Sequence, residues 1–159
     1  MSNHAPSQTD DPASHSTKPL VFFIHGFPDS WAIWRHVVSS EPLQDEAVVV
    51  CLDLPGFGGS DTMKTYSTTN LLEALTEFIL TLRAAYGIDT AEEINKRKVV
   101  IVAHDWGCVL AMLLAAEAPD LADRFILSNG VLVINISLWV DLFSILLRLY
   151  VATSLPVKY

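Results

Sequence analysis

The stretch that decides the fold is Val102-Ala103-His104-Asp105-Trp106-Gly107, which joins an apolar run directly to a helical pattern. The run that leads into it, 99–103, consists of small and β-branched apolar residues and predicts a strand. The residues after it, 107–118, predict a short apolar helix that ends before a proline. A strand that becomes a helix within so few residues places Asp105 at a sharp corner of the chain.

Three further apolar runs show no alternation with polar residues, as is typical of strands that are covered on both faces of a parallel sheet. These runs span residues 20–24, 47–52 and 124–128. We therefore expect four buried parallel strands.

Helical patterns lie between these runs, at 31–40 and 70–86. In the second pattern Asn70 with Glu73 resembles a capping box, and Gly87 stands where a C-terminal stop is expected. Strands that alternate with helices predict an α/β fold, with a mostly parallel sheet and helices on both of its faces.

The two ends of the chain differ from this core of residues 19–130. Residues 1–18 are rich in Ser, Thr, Asp, Asn and Pro and predict a disordered N-terminal tail without a secretory signal. Residues 131–151 are strongly apolar, and their length allows a membrane span. Asp141 and Arg148 would be costly in a bilayer, so burial within the protein is the favoured interpretation and membrane association the alternative.

Charge and composition exclude several classes of function. The 159 residues carry a formal net charge of −8, which argues against nucleic acid as a partner. The basic run 96–98 is short and predicts a solvated loop. Cys51 and Cys108 have no metal-binding or disulfide spacing and predict two buried, reduced thiols, with a cytoplasmic location as the default. The five histidines form no readable metal site, and no cofactor is indicated.

The corner at Asp105 has the layout of a nucleophile elbow, small-x-nucleophile-x-small, in which Ala103 and Gly107 are the small residues. A carboxylate is ionised at neutral pH and attacks a saturated carbon that bears a leaving group, which gives an alkyl ester. Water then hydrolyses the ester with the help of a general base and an oxyanion hole. The alternative is that Asp105 only caps the following helix.

Three motifs in order resemble the epoxide hydrolases of the α/β-hydrolase superfamily, and Trp34-Arg35 adds to the resemblance. They are His25-Gly26-Phe27-Pro28-Asp29-Ser30-Trp31, Asp53-Leu54-Pro55-Gly56-Phe57-Gly58-Gly59-Ser60-Asp61 and His104-Asp105-Trp106-Gly107. The resemblance covers residues 19–130, the N-terminal half of the α/β-hydrolase core. It implies a partial fold, truncated before the complete cap and the C-terminal strands, with 131–159 as the apolar helical start of the cap.

The resemblance implies that Asp105 is the nucleophile and that the backbone N–H groups of Phe27 and Trp106 form the oxyanion hole. The implied substrate is a small apolar epoxide, which is opened to a diol. Haloalkane dehalogenases usually carry Asn where Phe27 stands, and fluoroacetate dehalogenases usually carry Arg where Trp106 stands. The pair therefore favours an epoxide hydrolase over a haloalkane dehalogenase-like enzyme.

Several residues near the motifs are given structural roles. We expect His25 to shape its turn and His104 to pack under the corner. Asp53, with the glycines at 56, 58 and 59, predicts a turn with positive φ angles. Ala103 and Cys108 stand where glycine is commoner in the family, but both are small enough for the corner to close.

The family's acid, its base and its cap tyrosines match no motif in this sequence, and no histidine follows residue 104. This leaves a second hypothesis, a catalytically incomplete fragment without turnover. The sequence indicates no particular oligomeric state.

Overall fold

The computed structural model describes residues 17–90 and 96–130, which contain a four-stranded parallel sheet. The strands follow the order β2-β1-β3-β4 across the sheet. They are β1 (Leu20–Ile24), β2 (Val48–Leu52), β3 (Val99–His104) and β4 (Arg124–Ser128). All four predicted runs are confirmed to within one residue.

Helices connect the strands, so the predicted α/β class is confirmed. The α-helices are α1 (Arg35–Val38), α2 (Glu41–Glu46), α3 (Thr68–Ala85) and α4 (Trp106–Glu117), with 3-10 turns at Trp31–Trp34 and Pro119–Leu121. The predicted helix over 31–40 is the first 3-10 turn followed by α1. The sequence patterns did not predict α2, which is short and contains no buried residue.

The two faces of the sheet are covered by different helices. On one face, Leu20, Phe22 and Ile24 pack in a core shared with α3 and α4. On the other face, Val21 and Phe23 pack with Trp34, close to α1. Because successive strand residues point to opposite faces, β1 is buried along its whole length. Helices on both faces of the sheet are thus confirmed.

Strand β4 corrects the expectation that every strand is covered on both faces. Ile126 is 51% exposed and Leu127 is 43% exposed. The physical reason is position, since β4 lies at the end of the sheet and pairs, within the described residues, with β3 alone.

The N-terminus of α3 corrects the predicted capping box. The helix begins at Thr68, and its cap is Ser67, whose Oγ accepts a hydrogen bond from the backbone N–H of Asn70 at 3.1 Å. The Asn70 side chain instead donates to the carbonyl oxygen of Thr65 at 3.1 Å. Asn70 is therefore the third residue of the helix rather than its cap.

The C-terminus of α3 ends as predicted. Gly87 has a φ of 63°, and its N–H donates to the Ala84 carbonyl at 3.0 Å. The N–H of Ile88 reaches back to the Arg83 carbonyl at 2.9 Å, which completes a Schellman motif.

The basic run 96–98 is not a solvated loop throughout, which corrects a further expectation. Arg97 is 6% exposed, and its guanidinium carbon lies 5.4 Å from the centre of the Tyr86 ring. Lys98 Nζ pairs with Asp123 Oδ1 at 2.8 Å. The aliphatic stem of arginine packs against apolar surface while its head meets an aromatic face, so a basic residue need not be solvated.

Of the two free thiols, Cys108 is buried as predicted and Cys51 is only half-buried. Across residues 17–90 and 96–130, no helix has both the length and the apolar character that crossing a membrane requires. Most of the predicted tail, residues 1–16, and the whole predicted cap segment, residues 131–159, lie outside the described residues.

Candidate active site

The corner between β3 and α4 has a backbone conformation that non-glycine residues rarely adopt. Asp105 has φ 53° and ψ −124°. Its own N–H donates to the Ser128 carbonyl of β4 at 3.2 Å, so the corner is tied to the neighbouring strand. Positive φ at such a residue costs about 1–3 kcal/mol and persists only where the surroundings enforce it.

The Asp105 carboxylate faces the loop after β1 rather than its own helix. The residue occupies the N-cap position of α4, but its side chain makes no capping hydrogen bond there. Oδ1 instead accepts a hydrogen bond from the backbone N–H of Phe27 at 3.0 Å. The alternative in which Asp105 merely caps α4 therefore does not describe this side chain.

Two glycines allow this close approach. A Cβ added to Gly26 would overlap the Asp105 carboxylate. A Cβ added to Gly107 would lie 2.6 Å from the carbonyl oxygen of His25 and 2.7 Å from that of Ile24. Gly107 thus has the predicted role of a small residue, whereas the role of Gly26 was missed, although it stands in the first motif.

The other small residues of the corner also pack closely. Ala103 is fully buried, and Cys108 Sγ lies 3.3 Å from the Ala103 carbonyl oxygen and 3.4 Å from that of Ser128. A Cβ on Gly130 would lie 2.6 Å from the Cys108 Cβ. The corner therefore closes with Ala and Cys at these positions. Burial raises the pKa of the Cys108 thiol, which keeps this thiol protonated and weakly nucleophilic.

Of the three predicted site residues, the structure brings Phe27 and Asp105 into direct contact, and Trp106 follows Asp105 as the first residue of α4. The Phe27 ring meets the Phe57 ring edge-to-face, with the ring centres 6.1 Å apart. Trp106 is half-buried and packs against the core that contains α3 and α4. The positive end of the α4 dipole lies at this corner and favours negative charge there.

His25 is completely buried and is held by two hydrogen bonds. Its Nδ1 lies 2.7 Å from the Gly26 carbonyl oxygen, and its Nε2 accepts from the Leu54 N–H at 2.9 Å. These partners require the proton on Nδ1 and a neutral ring. Burial lowers the pKa of His25, which favours the same neutral form. The structural interpretation of His25 is thereby supported.

His104 lies on the opposite face of the sheet from the core shared with α3 and α4. Its ring meets the Trp34 ring edge-to-face, with centres 6.2 Å apart. Its Nε2 lies 3.5 Å from Asn129 Nδ2. Val100 and Val102 pack on this same face, as the alternation of strand residues requires.

Asp53 joins the loop after β2 to the loop after β1. Oδ1 accepts from the Trp31 N–H at 2.7 Å, and Oδ2 accepts from the Gly59 N–H at 2.9 Å. The sequence predicted a turn here but not these contacts, because the N–H groups involved belong to distant or loop residues that carry no sequence signal.

The predicted positive φ angles are confirmed at Gly56 (84°) and Gly58 (50°) but not at Gly59. A Cβ on Gly58 would overlap the Asp53 carboxylate, whereas the nearest atom to a Cβ on Gly59 would be 3.9 Å away. Glycine is therefore required at 58 by both conformation and space.

Metal-binding side chains do not gather at this site. Across the part of the chain that the structure describes, His, Cys, Asp and Glu residues form no group of three or more that is suited to hold a metal ion.

Comparison with known proteins identifies the class to which this fold and corner belong. Residues 19–152 match the family described as the alpha/beta hydrolase fold, and the chain belongs to that family. It is 32% identical over 121 residues to epoxide hydrolase 3 of Mus musculus, which covers 74% of this chain and 29% of that protein. It is 33% identical over 112 residues to epoxide hydrolase 1 of Caenorhabditis elegans, which covers 70% of this chain and 25% of that protein. The chain thus spans less than a third of these curated relatives.

Solved structures give the same fold. Cfl2 from Burkholderia cenocepacia matches with a TM-score of 0.56 at 30% identity, covering 71% of this chain and 34% of that one. An inhibitor complex of Bacillus megaterium epoxide hydrolase matches with a TM-score of 0.56 at 27% identity. The match covers 70% of this chain and 36% of that one. The 2-hydroxy-6-oxo-6-phenylhexa-2,4-dienoate hydrolase of Rhodococcus sp. matches with a TM-score of 0.57 at 27% identity. The match covers 75% of this chain and 40% of that one. Because this last name describes a different substrate, likeness of fold alone does not select the reaction.

Proposed function

We propose that this chain carries the nucleophile of an epoxide-hydrolase-like site, in which Asp105 forms an ester with a small apolar epoxide. The observation that carries the proposal is the hydrogen bond from the Phe27 N–H to Asp105 Oδ1, made by a carboxylate that leaves its helix uncapped. The sequence relatives named epoxide hydrolases support the substrate class. A cytoplasmic location remains a prediction from the sequence.

In the first step, the second carboxylate oxygen, Oδ2, attacks one ring carbon of the epoxide. The C–O bond to that carbon breaks, and the ring oxygen becomes an alkoxide that takes a proton from water. An ester now links Asp105 to the substrate. The Phe27 N–H leaves this attack unhindered because it holds Oδ1, the oxygen that becomes the ester carbonyl.

In the second step, water attacks Cγ of Asp105 and places negative charge on Oδ1. The Phe27 N–H already lies 3.0 Å from this atom, so it needs no reorganisation to stabilise the charge. The Trp106 N–H, at the positive end of α4, is proposed as the second donor. Loss of one such donor raises the barrier by roughly 3 kcal/mol. Collapse of the intermediate releases the diol.

A specific observation favours the second hypothesis, an ester that forms and then stalls. Hydrolysis needs a base, and His25 has both ring nitrogens engaged in buried contacts. His104 packs against Trp34 on the other face of the sheet. Within the described residues, neither of these two histidines is placed to activate water at Cγ, which supports an ester that accumulates rather than a diol that is released.

Intact-mass measurement tests the proposal with two probes. Styrene oxide represents an apolar epoxide, and phenacyl bromide represents an electrophile whose leaving group needs no proton. We expect the chain to gain the whole mass of styrene oxide, or the mass of one phenacyl group with loss of bromide, and the Asp105→Ala variant to gain neither. Asp61→Asn, a carboxylate change at an exposed site, is the control and should react as the parent chain does. The same adduct on Asp105→Ala would refute the proposal.

The same experiment separates the alternatives. Steady release of diol from styrene oxide would contradict the stalled ester. Rapid bromide release together with no reaction of styrene oxide would favour the haloalkane dehalogenase-like alternative, which uses the same ester chemistry on a carbon–halogen bond.

A further inference from the structure

Two adjacent residues hold both ends of the loop that carries the Phe27 amide. Leu54 donates its N–H to His25 Nε2 at the start of this loop. Asp53 accepts the Trp31 N–H at its end. We define residues 25–31 as the oxyanion loop, a name that rests on the proposed function.

We propose that Asp53 is a positioning residue, which sets the place of the Phe27 N–H by fixing the far end of the oxyanion loop. Asp53 binds the Trp31 N–H, four residues beyond Phe27, so its effect on Phe27 acts through the loop.

The anchor itself is well defined. The two carboxylate oxygens of Asp53 divide their contacts, with Oδ1 on the Trp31 N–H at 2.7 Å and Oδ2 on the Gly59 N–H at 2.9 Å. The backbone oxygen of Asp53 accepts the Ser60 hydroxyl at 2.6 Å. The overlap that any Cβ at Gly58 would cause shows that the loop wraps closely around this carboxylate. The contacts with Gly59 and Ser60 hold Asp53 in place, so that its carboxylate can anchor the Trp31 N–H.

The path from Trp31 to Phe27 is short and internally bonded. The Asp29 N–H donates to the Gly26 carbonyl at 3.2 Å and closes a turn around Phe27 and Pro28. Asp29 Oδ1 accepts the Ser30 N–H at 2.8 Å, so the segment from Gly26 to Ser30 is braced along its length. A displacement at Trp31 is therefore transmitted to Phe27 rather than absorbed between them.

The functional consequence follows from the way the Phe27 N–H orients the nucleophile. By holding Asp105 Oδ1 it fixes the direction in which Oδ2 points, and a misplacement of about 1 Å costs up to about a hundredfold in the rate of attack by Oδ2. With the Asp53 anchor removed, the oxyanion loop loses the hydrogen bond at its Trp31 end and keeps the one at its His25 end. The Phe27 N–H then samples positions away from Asp105 Oδ1.

Asp53→Ala, Asp53→Asn and the matched control Asp61→Asn test the proposal by two readouts. The first is amide hydrogen exchange of the peptide that contains Phe27 and Trp31, and the second is the rate of adduct formation with phenacyl bromide. For Asp53→Ala we expect exchange in this peptide to rise about tenfold and the adduct rate to fall about tenfold. The amides of β1 should keep their protection.

Asp53→Asn supplies the rescue. Its amide oxygen still accepts the Trp31 N–H, while its NH₂ group meets Gly59, so both readouts should lie nearer to the parent chain than to Asp53→Ala. Should Asp53→Ala fail to fold, Asp53→Asn decides, because its NH₂ group cannot accept the Gly59 N–H and the weakened anchor should raise exchange in the Phe27 peptide above that of Asp61→Asn. Asp61→Asn should match the parent chain in both readouts.

The proposal is overturned if Asp53→Ala and Asp61→Asn react at the same rate, or if exchange rises equally in β1 and in the oxyanion loop, since that pattern reports a general loss of stability. Failure of the proposed function looks different. In that case no variant, and not the parent chain either, forms an adduct on Asp105, while the exchange readout still tests the anchoring of Phe27 by Asp53.

Discussion

Oδ1 of Asp105 lies 3.0 Å from the backbone nitrogen of Phe27, 78 residues earlier in the chain. The contact joins the carboxyl ends of two neighbouring parallel strands, β1 and β3, which is where α/β sheets place their ligands. It also accounts for two glycines, because Gly26 and Gly107 remove the side chains that would separate the two segments.

Gly26→Ala should separate the two contact partners. Its Cβ would overlap the Asp105 carboxylate, so we expect a loss of about 1–3 kcal/mol in the free energy of unfolding and at least a tenfold slower adduct formation. Urea titration and intact-mass kinetics measure the two effects. Gly59→Ala is the control, because the nearest atom to its Cβ is 3.9 Å away. Equal effects of the two substitutions would contradict this account of Gly26.

Gly107→Ala should destabilise the protein although alanine usually favours helices. The new Cβ would lie 2.6 Å from the His25 carbonyl oxygen, which is backbone and cannot move aside cheaply. We expect a loss of about 1–3 kcal/mol, measured as the free energy of unfolding in urea. An unchanged or higher stability would contradict this close approach of α4 to the end of β1.

Asp105→Gly should be more stable than Asp105→Ala. Both variants lose the carboxylate, but only alanine keeps the cost of a φ of 53°. The expected difference is about 1 kcal/mol in favour of glycine. Thermal unfolding of the two variants side by side measures it, and greater stability of the alanine variant would argue against a strained corner.

The free energy of unfolding should decrease as the pH is lowered, in a window that is set by His25. Burial lowers the pKa of His25 below its ordinary value of 6.5, so below pH 6.5 the unfolded chain binds more protons than the folded one. The free energy of unfolding therefore decreases as pH falls from 6.5 through the folded pKa. The hydrogen bond from Arg83 lowers the pKa of Asp89 below 3.8, so that carboxyl group acts only at more acidic pH.

His25→Gln tests this window. The glutamine cannot be protonated, so urea midpoints measured between pH 7 and 5, about the range over which a histidine titrates, should depend less on pH than those of the parent chain. His36→Gln, at an exposed histidine, is the matched control and should keep the parent dependence. An equal slope for the parent chain and His25→Gln would assign the dependence to other groups.

The strands and the corner at Asp105 were predictable because their signals are local. Apolar runs without alternation mark buried strands, and a strand that meets a helix within a few residues marks a tight corner. The Gly87 stop of α3 was predictable for the same reason, since one glycine with positive φ is enough.

The features that sequence reasoning missed or mistook depend on distant neighbours. Arg97 is buried because Tyr86 offers a ring face. Asp53 meets backbone N–H groups, which every residue but proline carries. Neither an aromatic partner nor a backbone donor leaves a pattern in the local sequence.

The most direct measurement of the central claim is the position and chemistry of the adduct formed with phenacyl bromide. After digestion, the modified peptide should contain Asp105. Alkaline hydrolysis of the adduct in heavy-oxygen water should leave one heavy oxygen atom in the Asp105 carboxylate, because hydroxide attacks the carbonyl carbon of an ester. An alkali-stable adduct on Cys51 or Cys108, with Asp105 unmodified, would contradict the account.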